Sequence, residues 1–447
     1  MATNRSAIRV IAASLIGTSL EWYDFFLYGS AAALVFGKLF FPTFAPLTGT
    51  LLAFVTYAVG FVARPLGGIV FGHFGDRTGR KTVLVVTLLL MGIATALIGL
   101  LPTYASIGAA APALLAALRF VQGIGLGGEW GGAVLMSIEH APAARRGFAA
   151  SWPQVGVPAG NLLAAAVLWL MSSTLSDSSF LAWGWRVPFL LSGVLVLVGL
   201  WIRLSLAESP LFAEVAEAGA RVRLPLLEVL RRHPRGLLVA MGARIGTDVA
   251  FYTFVVYVLT YLTGTVKVSR GVGLAAVLIG SALQLGLIPL FGALSDRYGR
   301  RPVYLAGTVA AGLWVFAFFP LLDTGSRPVI VLAVAVALLA HAAMYGPQAA
   351  LIAELFATEL RYSGASMGYQ VAGILGGALA PIIAIKLVAA THTALSVSWY
   401  VAAMLTITVL ALLAAPETAH GRLQAVPGQA APSAQHRAAA VDGGHVG

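Results

Sequence analysis

Residues 72–81, "GHFGDRTGRK", return as residues 292–301, "GALSDRYGRR", so that Asp76 and Asp296 stand 220 positions apart. Three further features repeat at nearly the same offset: Glu139 with Arg146 against Glu354 with Arg361, Gln154 against Gln370, and "AESP" (207–210) against "APET" (415–418). Self-similarity is the first thing to establish in a long chain, because it sets the architectural unit. Here the unit is half the molecule.

Each half is strongly apolar. Of 447 residues 59% are hydrophobic and 10% charged, with a mean hydropathy of +0.89; soluble domains carry about 25% charged residues. Apolar stretches of the ~20 residues needed to cross hydrocarbon begin near residues 8, 51, 82, 108, 147, 184, 236, 270, 302, 327, 363 and 394. The fold class expected is therefore all-α: a polytopic membrane protein of twelve spans in two pseudo-symmetric six-helix bundles. The expected boundaries are 1–206 for the first bundle, 207–235 for a polar linker, 236–415 for the second bundle and 416–447 for a disordered tail rich in Ala, Gly, Pro and Gln.

The formal charge of +11 is topological. With the amino terminus cytoplasmic, 19 of the 28 Lys and Arg fall on the cytoplasmic side and four (Lys38, Lys267, Arg270 and Arg327) fall outside. The other five, Arg64, Arg119, Arg186, Arg244 and Lys386, lie in or at the edge of spans. That is the positive-inside bias, and it argues against nucleic acid as a partner. Both termini are expected in the cytoplasm. The chain has no cysteine, so thiol and disulfide chemistry are excluded.

Other functions fail on their motifs. "GIGLGG" (123–128) matches the dinucleotide fingerprint, but it lies within a span rather than after a strand. Glycines so spaced suit close helix packing. There is no phosphate-binding G-x-x-x-x-G-K-[ST] loop and no H-E-x-x-H. An enzyme is not expected, and neither a cofactor nor a metal.

Ionisable residues inside spans are functional candidates by default. "LEWYDFFLYG" (20–29) places Glu21 and Asp24 on one face of the first span, with Tyr28 one turn on. Asp24 either exchanges a proton or holds a permanent salt bridge, for example with Arg119. Arg119 and Arg244 offer forks suited to a carboxylate, and Asp248 stands one turn from Arg244. In one reading a substrate replaces Asp248 at the arginine as Asp248 takes up a proton; in the other the pair simply neutralises itself. Asp24, Arg119, Arg244, Asp248 and His341 all come out near mid-depth. His341, above Tyr345 and Gln348, is either a substrate or proton contact or a packed, satisfied group. Gln122, Gln154, Tyr252 and Tyr257 are weaker lining candidates, and Glu129 is a candidate second protonation site.

Taken together these residues resemble a family. The duplicated G-x-x-x-D-R-x-G-R-[KR] loop and the twelve-span pattern look like the major facilitator superfamily. "EWYDFFLYG", "RPLGGIVFGHFGDRTGRK", "RFVQGIGLGGEWGGA", "EHAPAARRG", "WGWRVPFLLS" and "YGPQAALIAELFATELRYSGASMGYQ" resemble its metabolite:proton symporter branch over about residues 10–418. The resemblance implies alternating-access symport of a small carboxylated or zwitterionic metabolite, with the first, fourth, seventh and tenth spans around the cargo. It also implies a cytoplasmic latch, with Asp76 against the start of span eleven and Asp296 against the start of span five. Arg77, Arg80, Arg297 and Arg300 would then pair with Glu139 and Glu354; the plainer reading is that these charges anchor the loops at the membrane face. An anionic cargo is expected first, because arginines stand at mid-depth. Proline or betaine is the alternative, since Trp22, Tyr23 and Trp130 suit a quaternary ammonium. An uncoupled facilitator or exchanger of the same fold is a further one.

Overall fold

The computed structural model describes residues 2–78, 80–127, 134, 137–138, 141–205, 230–231, 233–356 and 361–419, with side chains from residue 15 onward apart from 69, 72–84, 143, 202–205 and 361–363. Twelve long helical segments run through them. In the first half these are α1 (Ala2–Ala31), α2 (Pro46–Thr78), α3 (Arg80–Leu100), α4 (Ala110–Leu126), α5 (Arg146–Thr174) and α6 (Arg186–Ser205). The second half holds α7 (Pro234–Tyr252), α8 (Arg270–Tyr298), α9 (Arg300–Asp323), α10 (Arg327–Glu354), α11 (Arg361–Gly373, resuming at Ala380–Thr391) and α12 (Leu395–Ala414). Among the described residues nine helical stretches are long and apolar enough to cross a membrane.

Lipid offers no partner for a backbone N–H, so spans must satisfy their own hydrogen bonds. Departures from α geometry are correspondingly local. Single π-helical turns interrupt α1 at Ala32–Phe36, α7 at Thr253–Tyr257 and again at Leu262–Val266, and α11 at Ile374–Ala378. Such turns accommodate one surplus residue and gather at functional places.

Within the first half α1 packs on α5, α2 on α4 and α3 on α6; in the second, α7 packs on α11 and α12, and α10 on α8 and α9. The halves meet where α5 crosses α8 and α10, and where α2 faces α11. Small residues make the α5–α8 crossing: a Cβ on Gly292 would lie 2.7 Å from that of Ser151 and 2.8 Å from the Gly147 carbonyl. In the middle of the same crossing Asn161 donates to the Ser281 hydroxyl at 2.8 Å.

"GIGLGG" is a packing surface. A methyl group on Gly123 would collide with the Gly60 carbonyl, and one on Gly127 with that of Arg64, so α4 lies backbone to backbone against α2. The linker expected at 207–235 falls outside the described residues up to 229. At the other end, the folded part runs past the expected boundary at 415. Glu417 accepts from the Arg300 and Arg301 amides at 2.9 and 3.1 Å, and the Thr418 hydroxyl donates to Glu354 at 2.5 Å. A carboxylate at the free amides that begin α9 is a helix cap, a signal that composition alone conceals.

Candidate functional site

The motif "EWYDFFLYG" distributes its side chains in several directions. Tyr23 donates to the Pro188 carbonyl at 2.6 Å, and Asp24 accepts from the Ser192 hydroxyl. Both partners lie on α6, so Asp24 faces the interior of the first bundle. Phe26 instead meets Phe251 of the second half, ring centroids 5.6 Å apart. Tyr28 donates to Thr56 at 2.8 Å. Glu21 is buried one turn before Asp24.

Asp24 makes no ion pair with Arg119. The sequence alternative of a permanent bridge between them is thus absent, because each already has neutral neighbours. Arg119, 1% exposed, donates from Nη1 to Gln122 at 3.1 Å and from Nε to the Tyr57 carbonyl at 3.4 Å. Gln122 in turn donates to Thr95 at 2.6 Å, and Thr95 adjoins Asp24. The acid and the arginine are linked through two neutral side chains. Three rings, Phe25, Tyr28 and Tyr57, face the guanidinium at 4.4–4.8 Å, an arrangement favourable to a cation out of water. Gly60 leaves the room for it: a Cβ there would strike the Arg119 side chain.

The second half is built otherwise. Arg244 and Asp248, 2% and 5% exposed, form a direct ion pair at 2.8 Å, and the guanidinium stacks on the Tyr369 ring. His341 accepts at Nδ1 from Gln284 at 2.9 Å, so its ring proton belongs on Nε2. Its ring lies beside Phe251 at 4.6 Å and Tyr345 at 5.2 Å. Gln348 does not share this surface. It turns into the second bundle and donates to the Tyr304 hydroxyl at 2.6 Å, which bonds the Ala243 carbonyl and Thr247. Gln154 is fully buried on α5.

Between the halves stands an aromatic septum. Tyr252 approaches Phe25, Tyr57 and Phe61 with centroids 5.7–6.4 Å apart. Sequence reasoning missed the residue that sits against it. Arg64 is 3% exposed, lies 4.3 Å from the Phe25 ring, 4.4 Å from Phe61 and 5.5 Å from Trp22, and its Nε and Nη2 have no hydrogen-bond partner among the described residues. Arg119 Nη2 and Arg244 Nη1 share that condition. Buried donors are normally paired, so three such guanidinium groups in one layer mark a place prepared for an acceptor. Tyr57, Phe61, Tyr369 and Gln284 were also missed.

At the face carrying the duplicated loops, the second loop is tied to the start of α5. Asp296 accepts from the backbone amides of Gly147 and Phe148, both at 2.8 Å, at the start of α5. Arg300 bridges it at 2.7 Å and Glu354 at 3.4 Å. Arg297 departs from the expected pairing with glutamate: its guanidinium lies 5.3 Å over the Tyr298 ring and has no ion pair among the described residues. Asp296 and Arg300 share a face one turn apart, while Arg297 points about 100° away. Arg146 is partly buried beside them. Glu129 and Glu139, and the side chains of Asp76, Arg77, Arg80 and Arg361, lie outside the described set. At the opposite face the molecule is open, with a cavity of about 1070 Å³ between the halves.

Comparison with known proteins agrees with this architecture. The chain matches the Major Facilitator Superfamily over residues 14–361 and 249–441. It is 46% identical over 422 residues to the inner membrane metabolite transport protein YhjE of Escherichia coli K12, covering 93% of this chain and 95% of that one. It is 45% identical over 385 residues to the shikimate transporter of the same organism (86% and 88% covered), and 33% identical over 428 residues to its proline/betaine transporter (93% and 85%). Among solved structures, the D-xylose-proton symporter superposes with a TM-score of 0.73 at 21% identity, covering 93% of this chain and all of that one, which speaks to the fold. The chain is a multi-pass membrane transporter, not an enzyme, and belongs to the major facilitator superfamily.

Proposed function

We propose that the chain is a proton-coupled symporter that carries a small carboxylated metabolite across the inner membrane by alternating access, with both termini cytoplasmic. The observation that carries this reading is the central layer in which Arg119, Arg244 and Arg64 keep N–H donors that have no partner among the described residues. A carboxylate would satisfy them, and charge-assisted bonds of that kind are strong out of water. Asp248, on Arg244, and Asp24, behind Gln122 and Thr95, are the acids near enough to exchange a proton as the cargo arrives. In this reading α1–α6 and α7–α12 rock about the α5–α8 crossing, and the Asp296–Arg300–Glu354 cluster holds the cytoplasmic side shut while the opposite side is open.

The relatives' names include both a carboxylic acid, shikimate, and the zwitterions proline and betaine. The ring cluster of Trp22, Phe25 and Phe61 would suit a quaternary ammonium, but in this chain it already holds the Arg64 guanidinium. That supports the anion. The test is uptake into proteoliposomes under an imposed pH gradient, with shikimate, 2-oxoglutarate, citrate, proline and betaine as cargoes. Accumulation of a carboxylate with alkalinisation of the medium is expected. Accumulation of a zwitterion alone, or carboxylate flux indifferent to the gradient, would overturn it. Asp24→Asn is expected to abolish accumulation while keeping counterflow.

A further inference from the structure

The four Lys and Arg that the charge count leaves outside, Lys38, Lys267, Arg270 and Arg327, come from three separate stretches of the chain, yet all four line the single 1070 Å³ cavity at the open face. Positive charge on that side runs against the topological bias, and these exceptions are not scattered over it. Their surroundings make the charge effective. Lys38, Lys267 and Arg327 are exposed and form no ion pair among the described residues. Arg270 is paired with Asp177 at 2.7 Å and lies 4.2 Å over the Phe180 ring. Asp177 is the one acid among the lining residues. Asp323, close by, is engaged by the Tyr261 hydroxyl at 2.6 Å.

Lys267 also occupies a left-handed backbone position, with φ 61°, where glycine or asparagine would fit more easily. The floor of the cavity includes Tyr257 and Tyr261, and Tyr257 leads toward the central septum along α7. A water-filled recess with low-dielectric walls and one sign of charge concentrates counter-ions and raises their rate of entry.

We propose that this vestibule is an anion-collecting antechamber, which gathers carboxylates by charge before any contact with the buried arginines. The proposal deepens the carboxylate reading above and rests on it for the identity of the anion. The absence of cysteine in the chain allows the local field to be read without a cargo. Ser173, exposed on the vestibule wall, is replaced in Ser173→Cys, and its rates of modification by an anionic and a cationic methanethiosulfonate reagent are compared. The anionic reagent is expected to gain by roughly tenfold over the ratio for a free thiol, and the gain should fall away in 0.5 M salt and in Lys38→Gln/Lys267→Gln/Arg327→Gln.

In the transport arm, the same triple variant is assayed with shikimate in phosphatidylcholine vesicles. KM should rise about tenfold with kcat unchanged. A thiol ratio indifferent to the three charges overturns the antechamber, whatever the cargo proves to be. If shikimate is transported, an unchanged KM overturns it too, and so does a KM effect confined to vesicles containing phosphatidylglycerol, which assigns the cations to lipid phosphate. If no carboxylate is transported while the thiol ratio responds, the failure belongs to the carboxylate reading and the collecting field stands.

Discussion

The two buried arginines at the centre are held in opposite ways. Arg244 is neutralised directly by Asp248 at 2.8 Å, whereas Arg119 has, among the described residues, only a glutamine, a backbone carbonyl and three aromatic faces. A direct pair resolves a charge at the cost of its availability. A charge left among dipoles and ring faces stays available to a ligand. The second half thus has to exchange partners to engage an anion, and the first half has only to admit one.

The comparison breaks most visibly in the second half. Arg244→Gln leaves Asp248 as an uncompensated buried charge, which costs about 3–5 kcal/mol, and the loss should appear as a lower thermal midpoint in detergent. Arg244→Gln/Asp248→Asn should recover most of that stability while remaining transport-dead; a double variant no more stable than the single one would mean that the pair does not act as a unit. Arg119→Lys tests the other side. It keeps the charge but loses the planar fork and with it the unpaired Nη2 donor, so cargo affinity should fall by about ten- to a hundredfold, the equivalent of one charge-assisted hydrogen bond, with little change in stability. Equal damage to stability and affinity would erase the distinction between the two arginines.

The smallest effect lies outside the membrane, at Glu417. Burial raises the proton affinity of its carboxyl, but the amides of Ala419, Arg300, Arg301 and Thr418 outweigh that and hold it below the usual glutamate range. A group depressed in the folded state contributes fully above its unfolded value, about 4.3, and loses that contribution as the pH falls below it. Glu417→Gln should cost about 0.5–1 kcal/mol at neutral pH, the scale of a helix cap. The thermal midpoints of wild type and variant should converge between pH 5 and 3.

What could be read from sequence was what repeats or what is local. The duplicated loop led to the twelve helices, and counting inward from helix starts brought Asp24, Arg119, Arg244, Asp248 and His341 to buried positions. The direction in which a side chain points was not available, because it depends on partners far along the chain: Ser192 for Asp24, Gln284 for His341, Tyr304 for Gln348. Arg64 was grouped only with the basic residues in or at the edge of spans, because nothing local shows that its guanidinium turns toward the rings of Phe25, Phe61 and Trp22.

The π turns in α7 have a consequence for how the vestibule can vary. One surplus residue rotates everything after it by about 100° about the helix axis. Tyr257, Tyr261 and Lys267 line the cavity because of the register set by Thr253–Tyr257 and Leu262–Val266. Removing a single residue from the first of these turns would leave Arg244 and Asp248 where they are and swing the mouth of the same helix toward lipid. In such a helix an insertion or deletion of one position re-specifies the entrance and spares the centre, a change that no series of side-chain substitutions reproduces.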